Sequence, residues 1–130
     1  MAPRPSAETM VVTASHSSRP DHPDLGALLE HAVERGASDL HLKVPARPIV
    51  RIHGSLTQVP GFAALRPEDT ERFAAELLSG HHGKREEFDD CGETDLSHAR
   101  DGLGRFRVNI FRQRGSVSIE IGRASCRERV

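Results

Sequence analysis

Between residues 105 and 121 the chain alternates apolar and polar side chains twice, with one short break. Phe106, Val108 and Ile110 take every second position, and after Arg114-Gly115 the pattern returns in Val117, Ile119 and Ile121. A period of two puts each apolar set on one face of a strand, and so short a break leaves room only for a hairpin turn. Residues 105–113 and 116–121 are therefore expected to pair as antiparallel strands whose shared apolar face needs a cover.

The reading extends toward the N-terminus. In residues 38–44, Leu40, Leu42 and Val44 face one way and Asp39, His41 and Lys43 the other. Pro45 and Pro48 bracket a turn before a second strand at residues 49–53, a tight reversal at Gly54-Ser55 and a third strand at 56–59, for which a meander is the economical arrangement. Residues 93–99 predict another strand, ahead of a glycine-rich turn at 101–104. Elsewhere the period changes. Leu25, Leu28, Leu29, Ala32 and Val33 share one helical face, with Asp21 or Asp24 as the cap and Gly36 as the stop. Pro67 opens a second helix with the stripe Thr70, Phe73, Ala74, Leu77 and Leu78, ended by Ser79-Gly80, and residues 84–90 suggest a short third. Strands in hairpin order, interrupted by helices, define an α+β domain with a mainly antiparallel sheet and helices packed on it.

A chain of 130 residues with 36% apolar content supports one domain and one modest core. Residues 1–23, rich in Pro, Ser, Thr and Ala, are expected to be a disordered leader. Two cysteines, Cys91 and Cys126, cannot staple a small scaffold, and the start lacks a signal-peptide pattern, so a reduced, cytoplasmic chain is expected. No run approaches the roughly 18 apolar residues that span a bilayer, which argues against membrane insertion. A formal charge of −1 and the absence of Trp and Tyr argue against nucleic acid as a partner.

Candidate chemistry narrows quickly. Gly83-Lys84 is not a phosphate-binding loop, because Leu78 stands where the first glycine belongs and Arg85 where Ser or Thr would meet Mg²⁺. Gly102-Leu103-Gly104 does not extend to G-x-G-x-x-G, since Arg107 holds the third glycine's place. His81, His82, Cys91 and His98 follow no standard ligand spacing, so no metal site is expected. The acids Asp89, Asp90 and Glu93 around Cys91 would raise a thiol's pKa, which argues against a Cys-His nucleophile. Residues 100–114 are more informative, with five arginines against one aspartate directly after an acidic stretch at 86–95. Alternation puts Arg105, Arg107 and Asn109 together on the face opposite Phe106, Val108 and Ile110. Such a face either receives a phosphate or a partner's carboxylates, or is a solvated surface paired with the nearby acids. Asp39 and His41 point outward on the first strand and read as surface or supporting residues.

Three motifs resemble one family when taken together. They are Ala37-Ser38-Asp39-Leu40-His41-Leu42, Ile49-Val50-Arg51-Ile52-His53-Gly54, and Gly104-Arg105-Phe106-Arg107-Val108-Asn109-Ile110-Phe111 with Gln113-Arg114-Gly115. In order and spacing they are similar to the N-terminal domain of the type IV pilus retraction ATPases, the PilT-like twitching-motility motors of the secretion ATPase superfamily. The resemblance covers residues 24–121. It implies a PAS-like domain linked to a RecA-like ATPase domain in a cytoplasmic homohexamer, at the inner-membrane platform protein of the pilus base. It also implies ATP and Mg²⁺ bound by the full-length protein between the two domains, with no catalytic residue in this part. By position, Arg107 and Arg114 are the first candidates to contact the nucleotide, with Arg105 and Arg112 behind them; Asp39, His41, Arg51 and His53 shape the domain. Guanidinium forks suit that task, since they meet phosphate charge without covalent chemistry.

The resemblance stops at Ile121. The family would continue through a short linker into the ATPase core, whereas residues 122–130 carry no apolar periodicity and are expected to be a non-native tail. Without Walker motifs, this chain alone is not expected to hydrolyse ATP. The alternatives are the corresponding domain of a pilus-extension or type II secretion ATPase, and a stand-alone PAS-like sensor or interaction module.

Overall fold

The structure, a computed structural model, describes residues 23–124. It contains helices α1 (Leu25–Glu34), α2 (Pro67–Leu78) and α3 (His82–Cys91), and strands β1 (Asp39–Leu42), β2 (Ile49–Ile52), β3 (Ser55–Gln58), β4 (Glu93–Arg100), β5 (Gly104–Gln113) and β6 (Ser116–Arg123). All five strand pairings are antiparallel, in the order β3-β2-β1-β6-β5-β4. The sheet is thus two local meanders, β1–β3 and β4–β6, fused where the first strand meets the last.

Two tight turns set the registers. His53-Gly54 and Arg114-Gly115 have φ of 51° and 83°, and of 55° and 82°. Positive φ at both central positions marks the primed turn that matches the right-handed twist of a hairpin, and glycine at the second position bears it without strain. The first reversal lies one residue before the expected Gly54-Ser55, because Ser55 already pairs with Ile52.

The helices cover one face of the sheet. Leu25, Leu28 and Leu29 of α1, Phe73 and Leu77 of α2 and Phe88 of α3 are buried with Leu40, Leu42, Phe106, Val108, Ile110, Val117, Ile119 and Ile121. Asp24 caps α1, accepting from the Ala27 N–H at 3.1 Å; Asp21, the other candidate, lies outside the described residues. In α2, Asp69 is 1% exposed, and its carboxylate accepts from the Arg66 backbone N–H at 2.9 Å. It also meets the guanidinium groups of Arg66 and Arg72, each at 3.4 Å. Arg72 in turn donates to the Pro23 carbonyl at 2.6 Å, tying the start of α1 to α2. Burial pushes the Asp69 carboxyl up, but the Arg66 hydrogen bonds and the two arginine charges outweigh it and hold the group below the ordinary aspartate range.

β6 runs past Ile121: Gly122 pairs with Asp39 and Arg107, and Arg123 with Phe106. The segment 122–130 therefore begins inside the sheet, while residues 125–130, including Cys126, and the leader up to residue 22 lie outside the described residues. Among the described residues no helix is long and apolar enough to cross a membrane.

Candidate functional site

The face turned away from the helices carries the polar residues in rows set by the register. One row runs Leu56, Arg51, Asp39, Gly122, Arg107, Ser97; the next runs Gln58, Ile49, His41, Glu120, Asn109, Asp95. Most charges here are matched. Arg51 Nε donates to Asp39 Oδ2 at 3.0 Å, and His41 lies between carboxylates, with Nε2 3.3 Å from Asp39 and Nδ1 3.8 Å from Glu120. Lys43 closes the ladder at 3.4 Å from Glu120, its ammonium 5.7 Å from the centre of the Phe111 ring. Partial burial raises the Asp39 carboxyl, yet hydrogen bonds from Arg51, Ser38 and His41 bring it below the ordinary range. On the other side Asn109 Nδ2 donates to Asp95 at 2.8 Å and reaches Glu93 at 3.3 Å.

Arg107 stands between these two groups. It is exposed and, among the described residues, its side chain has no ion pair or hydrogen bond. Beside it a cavity of about 270 Å³ opens over Gly122, walled by Asp39, His41, Asp95, Arg107, Asn109 and Glu120 among others.

The four candidate arginines do not converge. Arg105 and Arg107 share the outer face, two residues apart, as alternation predicts. Arg112 lies on the helical side, with its guanidinium 4.8 Å from the centre of the Phe88 ring and 3.5 Å from Glu71, so it braces α2 and α3 against β5. Arg114 sits in the β5–β6 turn, on the rim of a second cavity of about 370 Å³ with Lys43, Gln113, Ser116 and Ser118. Six or seven residues of extended chain, roughly 20 Å, separate it from Arg107. Within one copy of the chain Arg107 and Arg114 therefore stand at opposite ends of this stretch.

Sequence reasoning missed a polar cluster under the helices. Arg100 Nη2 meets Glu76 Oε2 at 3.3 Å, while Arg100 Nη1 and His98 Nε2 are buried without a hydrogen-bond partner. Burial, followed by the Arg100 charge, pushes the His98 imidazole below its ordinary range. The available signal was parity, since His98 and Arg100 follow Thr94 and Leu96 at period two and so face inward. His81 and Cys91 stand about 15 Å apart at opposite ends of α3, and among the described residues no three His, Cys, Asp or Glu side chains gather as metal ligands.

No protein-family model matches the chain. Its relatives define the class: the chain belongs to the family of the type IV pilus ATPases. The type IV pilus retraction ATPase PilT of Pseudomonas aeruginosa is 31% identical over 97 residues, which is 74% of this chain and 27% of PilT. The type IV pilus ATPase PilU of the same organism is 30% identical over 96 residues, 74% of this chain and 24% of PilU. The crystal structure of the pilus retraction motor PilT with bound ADP superposes with a TM-score of 0.71 at 37% identity, over 78% of this chain and 29% of that one. The ATPase DotB of Legionella pneumophila superposes at 0.63 and 17% identity, over 78% of this chain and 28% of DotB, a likeness of fold alone. The chain spans about a quarter of the length of the curated relatives it matches.

Proposed function

We propose that this chain is the PAS-like N-terminal domain of a hexameric type IV pilus retraction ATPase. In this reading it works in the cytoplasm against the inner-membrane platform protein of the pilus base. Its partners are a RecA-like domain of the same protein and neighbouring subunits, with ATP and Mg²⁺ held by the RecA-like domain. Arg107, joined by Arg105 from the same face, closes over the nucleotide phosphates; Arg114 serves a separate contact at the β5–β6 turn, and Arg112 braces the domain. The carrying observation is Arg107 itself, an exposed arginine whose side chain has no ion pair or hydrogen bond among the described residues, on a sheet face where Arg51, Lys43 and Asn109 are engaged. An arginine held ready in this way suits stabilisation of phosphate charge in trans. The retraction reading is supported by the likeness to the pilus retraction motor PilT, at 37% identity and a TM-score of 0.71.

A domain exchange tests the retraction reading. Residues 24–121 replace the matching region of PilT in a strain lacking its own PilT. Restored twitching across a surface is the expected result. A chimaera that folds and assembles yet supports no twitching overturns the reading.

A further inference from the structure

Gly122 does something on the outer face that its backbone does not require. Its φ lies outside the left-handed region, and a Cβ added there meets nothing nearer than the Ser38 carbonyl oxygen at 3.8 Å. Neither backbone conformation nor close packing therefore calls for glycine, and its effect is the open slot above it. That slot lies in the row between Asp39 and Arg107, whose strands both pair with β6. Neighbouring strands are about 4.8 Å apart, so the two backbones are roughly 10 Å apart, a span that an arginine and an aspartate side chain bridge when nothing stands between them.

Charge points the same way. The cavity over Gly122 is lined by three carboxylates, Asp39, Glu120 and Asp95, and by Arg107; Arg51 and Lys43 reach Asp39 and Glu120 from its edge, while Arg105 and Glu93 lie on the same face outside it. Arg51 and Lys43 are engaged with Asp39 and Glu120, and among the described residues Asp95 meets only the neutral Asn109 amide and Arg107, the cation lining the cavity, has no ion pair or hydrogen bond. A carboxylate has about four lone-pair sites, so Asp39 and Glu120 retain capacity to accept. The cavity of about 270 Å³ between them has room for a guanidinium.

We propose that the slot over Gly122 is a second seat for the Arg107 guanidinium, in which Asp39 and Glu120 accept its hydrogen bonds. Arg107 then alternates between this seat and its exposed position. The purpose of the exchange, withholding the arginine until nucleotide arrives, rests on the function proposed above; the seat itself does not. Asp39 and Gly122 are positioning residues for Arg107, acting through access to the seat.

The test uses the 130-residue chain without nucleotide. Phenylglyoxal, an arginine-selective dicarbonyl, is applied, and modification is read residue by residue by peptide mass spectrometry, with Arg105 as the internal reference. Gly122→Val, which fills the slot without changing charge, and Asp39→Asn are each expected to speed modification of Arg107 relative to Arg105 about two- to fivefold, the range an exposed ion pair supports. In the unaltered chain, raising salt to about 1 M is expected to do the same, because it screens the pair. An Arg107-to-Arg105 ratio unchanged by salt and by whichever variants fold overturns the seat. Since no nucleotide is present, that result leaves the proposed contact with phosphate standing, and loss of the nucleotide contact leaves the seat standing.

Discussion

Replacing Asp69 with alanine probes how the helical layer is held to the start of the described chain. Three interactions disappear. The Arg66 backbone N–H loses its 2.9 Å acceptor, a helix-start contact worth about 1 kcal/mol. The ion pairs to Arg66 and Arg72 also go, but those side chains are 47% and 43% exposed, so solvent screening holds each to about 0.5 kcal/mol. The expected loss is about 2 kcal/mol, or roughly 10 °C in melting temperature for a domain of this size. Urea and thermal unfolding of Asp69→Ala beside the parent chain measure it. The pH dependence adds a second check. The folded-state carboxyl sits below the ordinary aspartate value of 3.8, so its stabilisation is complete above that pH and fades as pH falls through the lower, folded value. The parent and Asp69→Ala should therefore converge at strongly acid pH. A loss under about 0.5 kcal/mol at neutral pH, or one that persists unchanged below the folded-state value, would refute the reasoning.

Two further perturbations separate the core from the outer face and locate a proton. Ile110 is fully buried in β5, so Ile110→Ala should cost about 2–5 kcal/mol in urea unfolding, while Arg107→Ala, three strand positions away on the opposite face and without partners among the described residues, should stay within about 0.5 kcal/mol of the parent. His98 and His31 both titrate below the ordinary 6.5 in the folded chain, chiefly through burial. The unfolded state then takes up protons first, and stability should fall as pH drops below about 6.5; His98→Leu should flatten part of that slope and leave the share of His31.

Much of this architecture was legible from short-range pattern. Period two gave the inward set Phe106, Val108, Ile110, Val117, Ile119 and Ile121, all buried, and the outward set Arg105, Arg107 and Asn109. The same parity separates Arg112 from Arg105 and Arg107, and its place against Phe88 and Glu71 follows from it. The β1–β6 pairing was not legible. It joins residues some eighty positions apart, and neither strand's pattern distinguishes that neighbour from any other half-buried strand. Gly122 and Arg123 were hidden for a related reason, since a glycine and an arginine carry no alternation, yet both continue the ladder of β6. Asp69 carries no alternation signal, and its work shows only in its burial and its contacts with Arg66 and Arg72. The outer-face charge ladder needed the register, because Arg51, Asp39, His41 and Glu120 come from three strands.

The central claim is that Arg107 acts on bound nucleotide and not on the fold. ATP turnover by the PilT chimaera carrying residues 24–121, with and without Arg107→Ala at saturating ATP, addresses it directly. The account predicts that the variant assembles like its parent and turns over ATP at least about tenfold more slowly, as loss of an arginine from a phosphoryl-transfer site requires. Equal turnover in the two would contradict it.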